Sequence, residues 1–346
     1  MRIAQVAPLF ESVPPKRYGG TERVVSYLTE ELVRQGHDVT LFASGDSVTA
    51  ARLIAACRRS LRLDKDCVDQ LAHQVVLLEK VFRQAGEFDV IHFHVDYTHF
   101  PLSRRSPLPH VTTLHGRLDI PDLIPLYLEF PEMPLVSISN AQREPLPWVN
   151  WLATVYHGLP EGLYRFRKER GTYFAFLGRI CPEKRVDRAI EIAKRAGMPL
   201  KIAAKVDLVD RDYFETAIRP LLRDPLVEYV GEIGEQEKGE FLGNAYALLF
   251  PIDWPEPFGL VMIEAMACGT PVIAYREGSV SEVVDEGRTG FIVDTLEEAI
   301  QAAERIPELR RADCREVFER RFTVTRMARD YLRVYQSLLD SRPHPT

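Results

Sequence analysis

The feature that most constrains the fold is an alternation, along the whole chain, of short apolar runs with apolar stripes at helical spacing. The runs at residues 2–8 and 39–43 are typical of buried strands, and the apolar residues between 24 and 32 fall on one face of a helix. The alternation restarts with a run at 173–177. Strands that alternate with helices favour βαβ units and a mostly parallel sheet, so we predict an α/β fold.

The length and one break in this pattern predict two domains. The chain has 346 residues, and single cores rarely grow past about 250–300 residues. A stretch rich in Pro and Gly, at residues 145–170, interrupts the alternation and is interpreted as the interdomain connection. We expect doubly wound domains at residues 1–160 and 161–321, and a C-terminal helix at 322–346 that crosses back to the first domain. Ligands of such sheets bind beyond the carboxyl ends of the strands, so the site is expected in a central cleft between the domains.

Composition excludes several classes of protein. The net charge of -6 disfavours nucleic acid as the main partner. No run approaches the ~18 apolar residues that a membrane span needs, and the first residues carry no secretory signal. Five cysteines without a C-x-x-C pair fit reduced thiols better than a disulfide framework or a zinc site. These features favour a cytoplasmic protein.

Three common nucleotide and hydrolase motifs are missing from the sequence. It contains no G-x-G-x-x-G after a strand, no G-x-x-x-x-G-K-[ST] and no G-x-S-x-G. Standard dinucleotide, P-loop and α/β-hydrolase sites are therefore disfavoured.

The strongest motif is the segment 256–264, which begins and ends with a glutamate. A Pro-rich loop carries Glu256, and Gly259 precedes a helix of small residues. Free backbone amides at a helix start suit a phosphate. Glu264 lies about one and a half turns into the helix, where a carboxylate can accept two sugar hydroxyls. One glutamate alone is more often a solvated side chain, but the pair in this setting indicates a binding site.

This segment resembles the glutamate–seven residues–glutamate signature of the retaining glycosyltransferases of family 4, the group 1 glycosyltransferases. That family has the GT-B fold of two Rossmann-like domains. The resemblance extends over nearly the whole chain, with further similar segments at residues 18–22 (the glycine loop), 113–116 (the cleft histidine), 156–160 (the exit from the first domain), 177–184 (the phosphate-binding Arg and Lys) and 287–291 (a late loop).

The resemblance implies an activity and the residues that carry it. A hexosyl group moves, with retention, from a nucleotide-diphosphate sugar to a hydroxyl acceptor; a UDP-sugar is favoured and a GDP-sugar is possible. Arg179 and Lys184 meet the negative charge that develops on the distal phosphate. Glu256 holds hydroxyls of the transferred sugar, Glu264 holds the ribose hydroxyls, and His115 lies at the reacting centre.

The resemblance also implies further donor contacts and no cofactor. Backbone amides would bind the donor at five positions: Gly19, Gly20, Phe258, Gly259 and Leu260. The implied mechanism needs no protein nucleophile and no divalent ion, so activity is expected in a chelator. The acceptor is a glycan, a lipid-linked molecule or a small molecule. A basic cluster at Arg58, Arg59 and Arg62 is interpreted as a solvated helix face, so peripheral membrane contact is possible but not favoured.

Some residues have plausible structural roles instead. Arg179 and Lys184 are alternatively surface ion-pair partners of Glu183 or Asp187. Because side chains alternate along a strand, His92 and His94 are expected on opposite faces, which disfavours a metal pair. The family often has glycine after the motif lysine, and here Arg185 takes that position.

Two other functions remain open from the sequence. A nucleotide-sugar epimerase shares the two-domain architecture and would change the sugar without an acceptor. A catalytically silent nucleotide- or glycan-binding module is disfavoured by four intact residues: Arg179, Lys184, Glu256 and Glu264.

Overall fold

The structure is a computed structural model that describes residues 1–16 and 19–341. Tyr18 of the predicted glycine loop lies outside the described residues. The strands are β1 Arg2–Val6, β2 Asp38–Ser44, β3 Arg52–Cys57, β4 Val90–Phe93, β5 His110–Thr113, β6 Leu135–Ser137, β7 Trp151–Thr154, β8 Phe174–Arg179, β9 Leu200–Lys205, β10 Val227–Gly231, β11 Ala247–Phe250, β12 Val272–Tyr275 and β13 Gly290–Val293. The α-helices are α1 Gly20–Arg34, α2 Gln70–Arg83, α3 Phe100–Ser103, α4 Leu123–Glu129, α5 Val186–Ala196, α6 Arg211–Tyr213, α7 Glu235–Gly243, α8 Leu260–Cys268, α9 Val280–Val283, α10 Leu296–Arg305, α11 Arg311–Arg321 and α12 Val324–Asp340.

These elements form two compact units. Unit 1 contains Met1–Gly158 and the chain from Val324 onward, and unit 2 contains Leu159–Thr323. Each unit is built on one parallel sheet, with helices between most successive strands, as the alternation in the sequence predicts. The predicted α/β class with two doubly wound halves is therefore confirmed.

The sheet of unit 1 has the order β3-β2-β1-β4-β5-β6-β7 among the described residues, and its strands are parallel. The direction of strand addition reverses between β1 and β4, where Gln5 pairs in register with His92. Helix α12 packs on α1 and buries Met327, Tyr331 and Tyr335, the stripe that helical spacing predicts. The C-terminal helix thus completes the unit in which the chain begins.

The sheet of unit 2 has the order β10-β9-β8-β11-β12-β13 among the described residues, again parallel. Its direction reverses between β8 and β11. In open parallel sheets a ligand binds beyond the carboxyl ends of the strands at such a reversal. Arg179 ends β8, and the segment 251–259 follows β11. The predicted phosphate and sugar residues of unit 2 therefore follow the two strands that flank this reversal.

Several elements differ from the sequence prediction. Strand β3 was not predicted, although its residues are largely apolar; no helix separates it from β2, so the alternation of strands and helices does not indicate it. Strand β13 was not predicted either, because residues 287–291 were interpreted as a loop. The apolar stripe at residues 214–222 predicts one helix, but the structure has α6, a π-helical turn Phe214–Ile218 and a 3-10 turn Leu221–Arg223. Pro220 lies at the break, and its missing N–H prevents a continuous helix.

Within the described ranges, no helix combines the length and the apolar character that crossing a bilayer requires.

Candidate functional site

Arg179 lies at the end of β8 among three carboxylates. Its guanidinium nitrogens are 3.6 Å from Glu183, 3.6 Å from Asp207 and 3.8 Å from Asp210, with about a third of the side chain exposed. The alternative ion pair with Glu183 is thus present. Asp207 and Asp210 come from the chain after β9, which no local sequence pattern links to Arg179. An anion that binds Arg179 must compete with these three carboxylates.

Lys184 and Glu256, which the resemblance assigns to different parts of the donor, contact each other. The Nζ of Lys184 donates to Oε2 of Glu256, and both side chains are mostly buried. Trp254 donates from Nε1 to the same Oε2 at 3.1 Å, and its ring lies 4.8 Å from Nζ. The alternative pair of Lys184 with Asp187 is not formed, because Asp187 binds Arg185. Trp254 is a contact that sequence reasoning missed, although it stands two residues before the motif glutamate.

Arg185, at the position where the family often has glycine, adopts a left-handed backbone. Its φ and ψ are both 51°, and it caps the start of α5. This conformation costs a non-glycine residue about 1–2 kcal/mol. The guanidinium donates to Asp187 at 2.8 Å and to Asp253 at 2.8 Å, and these hydrogen bonds raise the pKa of Arg185. The side chain therefore links the start of α5 to the loop that carries Glu256.

The loop before α8 is held by the turn that precedes α9. Ser279 donates from its backbone to the carbonyl of Glu256 at 3.0 Å and from Oγ to the carbonyl of Phe258 at 2.9 Å. Gly278 packs so closely on the backbone of Glu256 that a Cβ there would overlap it. Gly259 has a φ of 76° and directly precedes Leu260, the first residue of α8. The start of α8 is thus fixed relative to Glu256.

Glu264, on α8, is 2% exposed and has its own basic partner. Its Oε1 accepts from Nζ of Lys238 at 2.7 Å and lies 3.4 Å from the hydroxyl of Tyr164. Tyr164 also donates to Glu235. Sequence reasoning missed Lys238 and Tyr164, because Lys238 stands in a charged run that reads as a solvated helix.

Unit 1 contains the remaining predicted residues. Gly19 and Gly20 follow β1 and begin α1; a Cβ at Gly19 would lie 2.8 Å from that of Pro15. His115 follows β5, and its Nε2 is 2.9 Å from Nδ1 of His94. Its ring stacks on that of His157 at 5.3 Å between centroids. Desolvation on burial lowers the pKa of His115 to about 3, so the imidazole is neutral.

The expectation that His92 and His94 lie on opposite faces is wrong. Their ring centroids are 4.0 Å apart. Strand β4 ends at Phe93, so the alternation of side chains stops before His94. His92 contacts the hydroxyls of Tyr335 and Thr113, each at 2.7 Å.

The interpretation of Arg58, Arg59 and Arg62 as a helix face is wrong, because these residues lie in the turns that follow β3. The positive charge of this cluster is partly neutralised. Arg62 donates to Glu11 at 2.9 Å, and Arg59 lies 4.0 Å from Asp64. In the part of the chain that the structure describes, no three His, Cys, Asp or Glu side chains are placed to hold a metal ion together.

Family models match both halves of the chain. The model of glycosyl transferases group 1 matches residues 165–317, and that of Glycosyltransferase Family 4 matches residues 18–159. The chain belongs to this glycosyltransferase family. It is therefore a glycosyltransferase, and the predicted resemblance is confirmed.

Individual relatives extend over most of the chain. It is 25% identical, over 330 residues, to the D-inositol 3-phosphate glycosyltransferase of Arthrobacter sp. (strain FB24), with 80% of this chain and 78% of the relative covered. Among solved structures, sucrose-phosphate synthase from Thermosynechococcus elongatus has a TM-score of 0.80 at 18% identity and covers 99% of this chain and 100% of its own. HepE of Anabaena, in complex with UDP and glucose, has a TM-score of 0.76 at 17% identity; the match covers 97% of this chain and 100% of HepE. The fold is GT-B.

Proposed function

We propose that the chain is a retaining, metal-independent hexosyltransferase that uses a nucleotide-diphosphate sugar, with a UDP-sugar favoured over a GDP-sugar. The acceptor is a hydroxyl of a glycan, a lipid-linked molecule or a small molecule. The observation that carries the proposal is the pair Glu256 and Glu264, each hydrogen-bonded to a lysine, before and within α8.

The two glutamates suit the two sugars of the donor. A carboxylate accepts two hydrogen bonds from vicinal hydroxyls, which the transferred sugar and the ribose both offer. Glu256 follows the strand at the sheet reversal, whereas Glu264 lies deeper, on α8. The amides at Phe258, Gly259 and Leu260 lie between them, at a helix start that favours a diphosphate.

Arg179 and Lys184 supply the positive charge that the departing diphosphate needs. Both side chains contact carboxylates in the structure, so binding exchanges a carboxylate partner for phosphate oxygens. A planar guanidinium and an ammonium that strengthen their contacts as charge develops stabilise the transition state. These two cations take the role that a metal has in other transferases, which supports a metal-independent reaction.

The remaining residues of the proposal belong to unit 1, the acceptor-side unit. We assign donor amides to Gly19 and Gly20, and place His115 at the reacting centre. Retention follows from attack on the same face as the departing phosphate, which helps to deprotonate the acceptor hydroxyl. No protein nucleophile takes part.

Two further observations support the choice of donor and compartment. One solved structure of the same fold, HepE, holds UDP and glucose, which favours a UDP-sugar here. All five cysteines are free, which is the state expected in a reducing compartment and favours the cytoplasm.

The decisive experiment is a binding and turnover panel of UDP-, GDP- and ADP-sugars with and without a chelator. We expect saturable turnover with a UDP-sugar, an unchanged rate in EDTA, and a product whose anomeric configuration, read by NMR, matches that of the donor. An inverted anomer contradicts the retaining mechanism, and loss of turnover in EDTA contradicts metal independence.

A further inference from the structure

The buried carboxamide of Gln5 connects the histidines of unit 1 to the tyrosines of α12. Gln5 lies on β1 and is fully buried. Its Oε1 is 2.8 Å from Nε2 of His94, and its Nε2 donates to the hydroxyl of Tyr335 at 3.1 Å. Nδ1 of His94 in turn lies 2.9 Å from Nε2 of His115. Four side chains thus form one hydrogen-bonded series that runs from Tyr335 through Gln5 and His94 to His115.

The carboxamide of Gln5 determines which atom donates and which accepts in each of these hydrogen bonds. A carboxamide oxygen only accepts, so Nε2 of His94 carries a proton. Burial lowers the pKa of His94 well below its usual value, so this neutral ring has no second proton and its Nδ1 accepts. His115 must then donate from Nε2, which leaves a lone pair on its Nδ1.

The opposite orientation of the amide is less favourable. It would reverse each bond and leave an N–H, instead of a lone pair, at Nδ1 of His115. That atom is buried and has no hydrogen-bond partner among the described residues. Buried N–H groups without a partner are rarer in native proteins than under-satisfied acceptors. The ring plane is fixed as well, because His115 stacks on His157 with an interplanar angle of 17°.

We propose that Gln5 and His94 are positioning residues that hold His115 in the Nε2–H tautomer and fix the orientation of its ring. The tautomer is a property of the protein alone, whereas its effect on turnover rests on the proposed glycosyl transfer. In this arrangement the buried Nδ1 of His115 carries no proton to give to a leaving group.

The tautomer is measured directly by long-range ¹H–¹⁵N correlation NMR on the full chain labelled at histidine, without substrate. We expect His115 to be protonated on Nε2 in the wild type. Gln5→Met removes the acceptor that orients His94 and should give a mixture of His115 tautomers. Gln5→Glu keeps an acceptor oxygen toward His94 and should restore the Nε2–H form. Should Gln5→Met fail to fold, Tyr335→Phe frees the amide and is expected to shift the tautomer in the same direction.

Thr112→Val is the matched control. Thr112 is equally buried on β5 of the same sheet, and its hydroxyl bonds His99, which is outside this series of hydrogen bonds. It should lower stability without a change in the His115 tautomer. With the best donor of the panel, Gln5→Met should lower kcat/KM by about two- to tenfold, the worth of one hydrogen bond, and Gln5→Glu should recover most of it.

The outcomes separate this inference from the proposed function. A wild-type His115 protonated on Nδ1, or an unchanged tautomer in both Gln5→Met and Tyr335→Phe, overturns the positioning role. An altered tautomer with unchanged kcat/KM overturns the role of the His115 tautomer in catalysis. A chain that transfers no sugar contradicts the proposed function but leaves the tautomer result intact.

Discussion

Because Lys184 and Glu256 contact each other, their roles have to be tested with variants of each residue and with the double variant. Each is the hydrogen-bond partner of the other, so a variant of one also changes the electrostatic environment of the second. We predict that Lys184→Ala, Glu256→Ala and Arg179→Ala each lower turnover about 100–1,000-fold, the usual loss when one charge-stabilising group is removed. The double variant of Lys184 and Glu256 should lose less than the product of the single losses, because the residues act as a unit.

Steady-state kinetics with urea unfolding in parallel checks this prediction. Lys194→Ala is the control, since Lys194 pairs with Asp224 on the surface of the same unit, 3.6 Å away. It should leave turnover unchanged. Near-normal turnover in all three site variants would remove the catalytic assignment.

Arg185 offers a test of backbone strain at a single residue. Arg185→Ala and Arg185→Gly lose the same contacts with Asp187 and Asp253, but only glycine adopts a φ of 51° without steric cost. The glycine variant should therefore be more stable than the alanine variant by about 1 kcal/mol. Urea unfolding of both variants measures the difference, and an alanine variant at least as stable as glycine argues against the left-handed conformation.

At the scale of elements, the turn before α9 determines where Glu256 lies. Gly278→Ala places a Cβ against the backbone of Glu256, so it should lower both stability and turnover. Gly197→Ala is the matched control, because Gly197 also has a positive φ, 65°, but has open space around it. The control should lose about 1–2 kcal/mol of stability and keep normal turnover. Equal turnover in the two variants would mean that the contact with Gly278 does not position Glu256.

The elements that the sequence predicts best are those whose signals are local. Helix α8 was expected at residues 260–268 and is found there, because a glycine at each end marks its limits. Strand β3 was missed because no helix separates it from β2, so the alternation of strands and helices gives no signal there. The apolar stripe at 214–222 led to the prediction of one continuous helix. Apolar spacing does not show that Pro220 lacks the N–H that the helical hydrogen bonds need.

In the site, too, local motifs are visible in the sequence, whereas contacts between distant segments are not. Glu256 and Glu264 stand in one short motif and are visible in the sequence, and their roles stay predictions. Their partners Lys184, Lys238 and Tyr164 come from other elements, so only the fold shows these contacts. Gln5 carries no motif at all, and its role depends on strand register and on α12.

At the scale of the whole molecule, histidine is confined to one half. Unit 2 contains none, whereas seven histidines of unit 1 have pKa values that desolvation lowers: His37, His92, His94, His99, His110, His115 and His157. Above about pH 6.5 these groups are neutral in both the folded and the unfolded chain. Below that pH the unfolded chain takes up protons that the folded unit excludes, so acid favours unfolding.

We predict that stability of unit 1 falls as the pH drops below about 6.5, by up to about 1.4 kcal/mol per pH unit for each such histidine. Hydrogen exchange read by mass spectrometry at pH 7 and pH 5.5, corrected for the intrinsic exchange rate, distinguishes the units. Amides of β1, β4 and β5 should lose protection, while those of β8, β11 and β12 keep it. Equal loss in both units would contradict the prediction.

The membership of α12 in unit 1 bears on how the protein is made. A ribosome adds about 5–20 residues per second, so β1 and α1 leave the exit tunnel tens of seconds before the helix that covers them. Unit 2 has its whole sequence available first, although its first strand is made after every strand of unit 1. During that interval the part of α1 that packs on α12 is uncovered, and Gln5 and His92 lack Tyr335. The folding of unit 1 is therefore completed only after the second half has been translated.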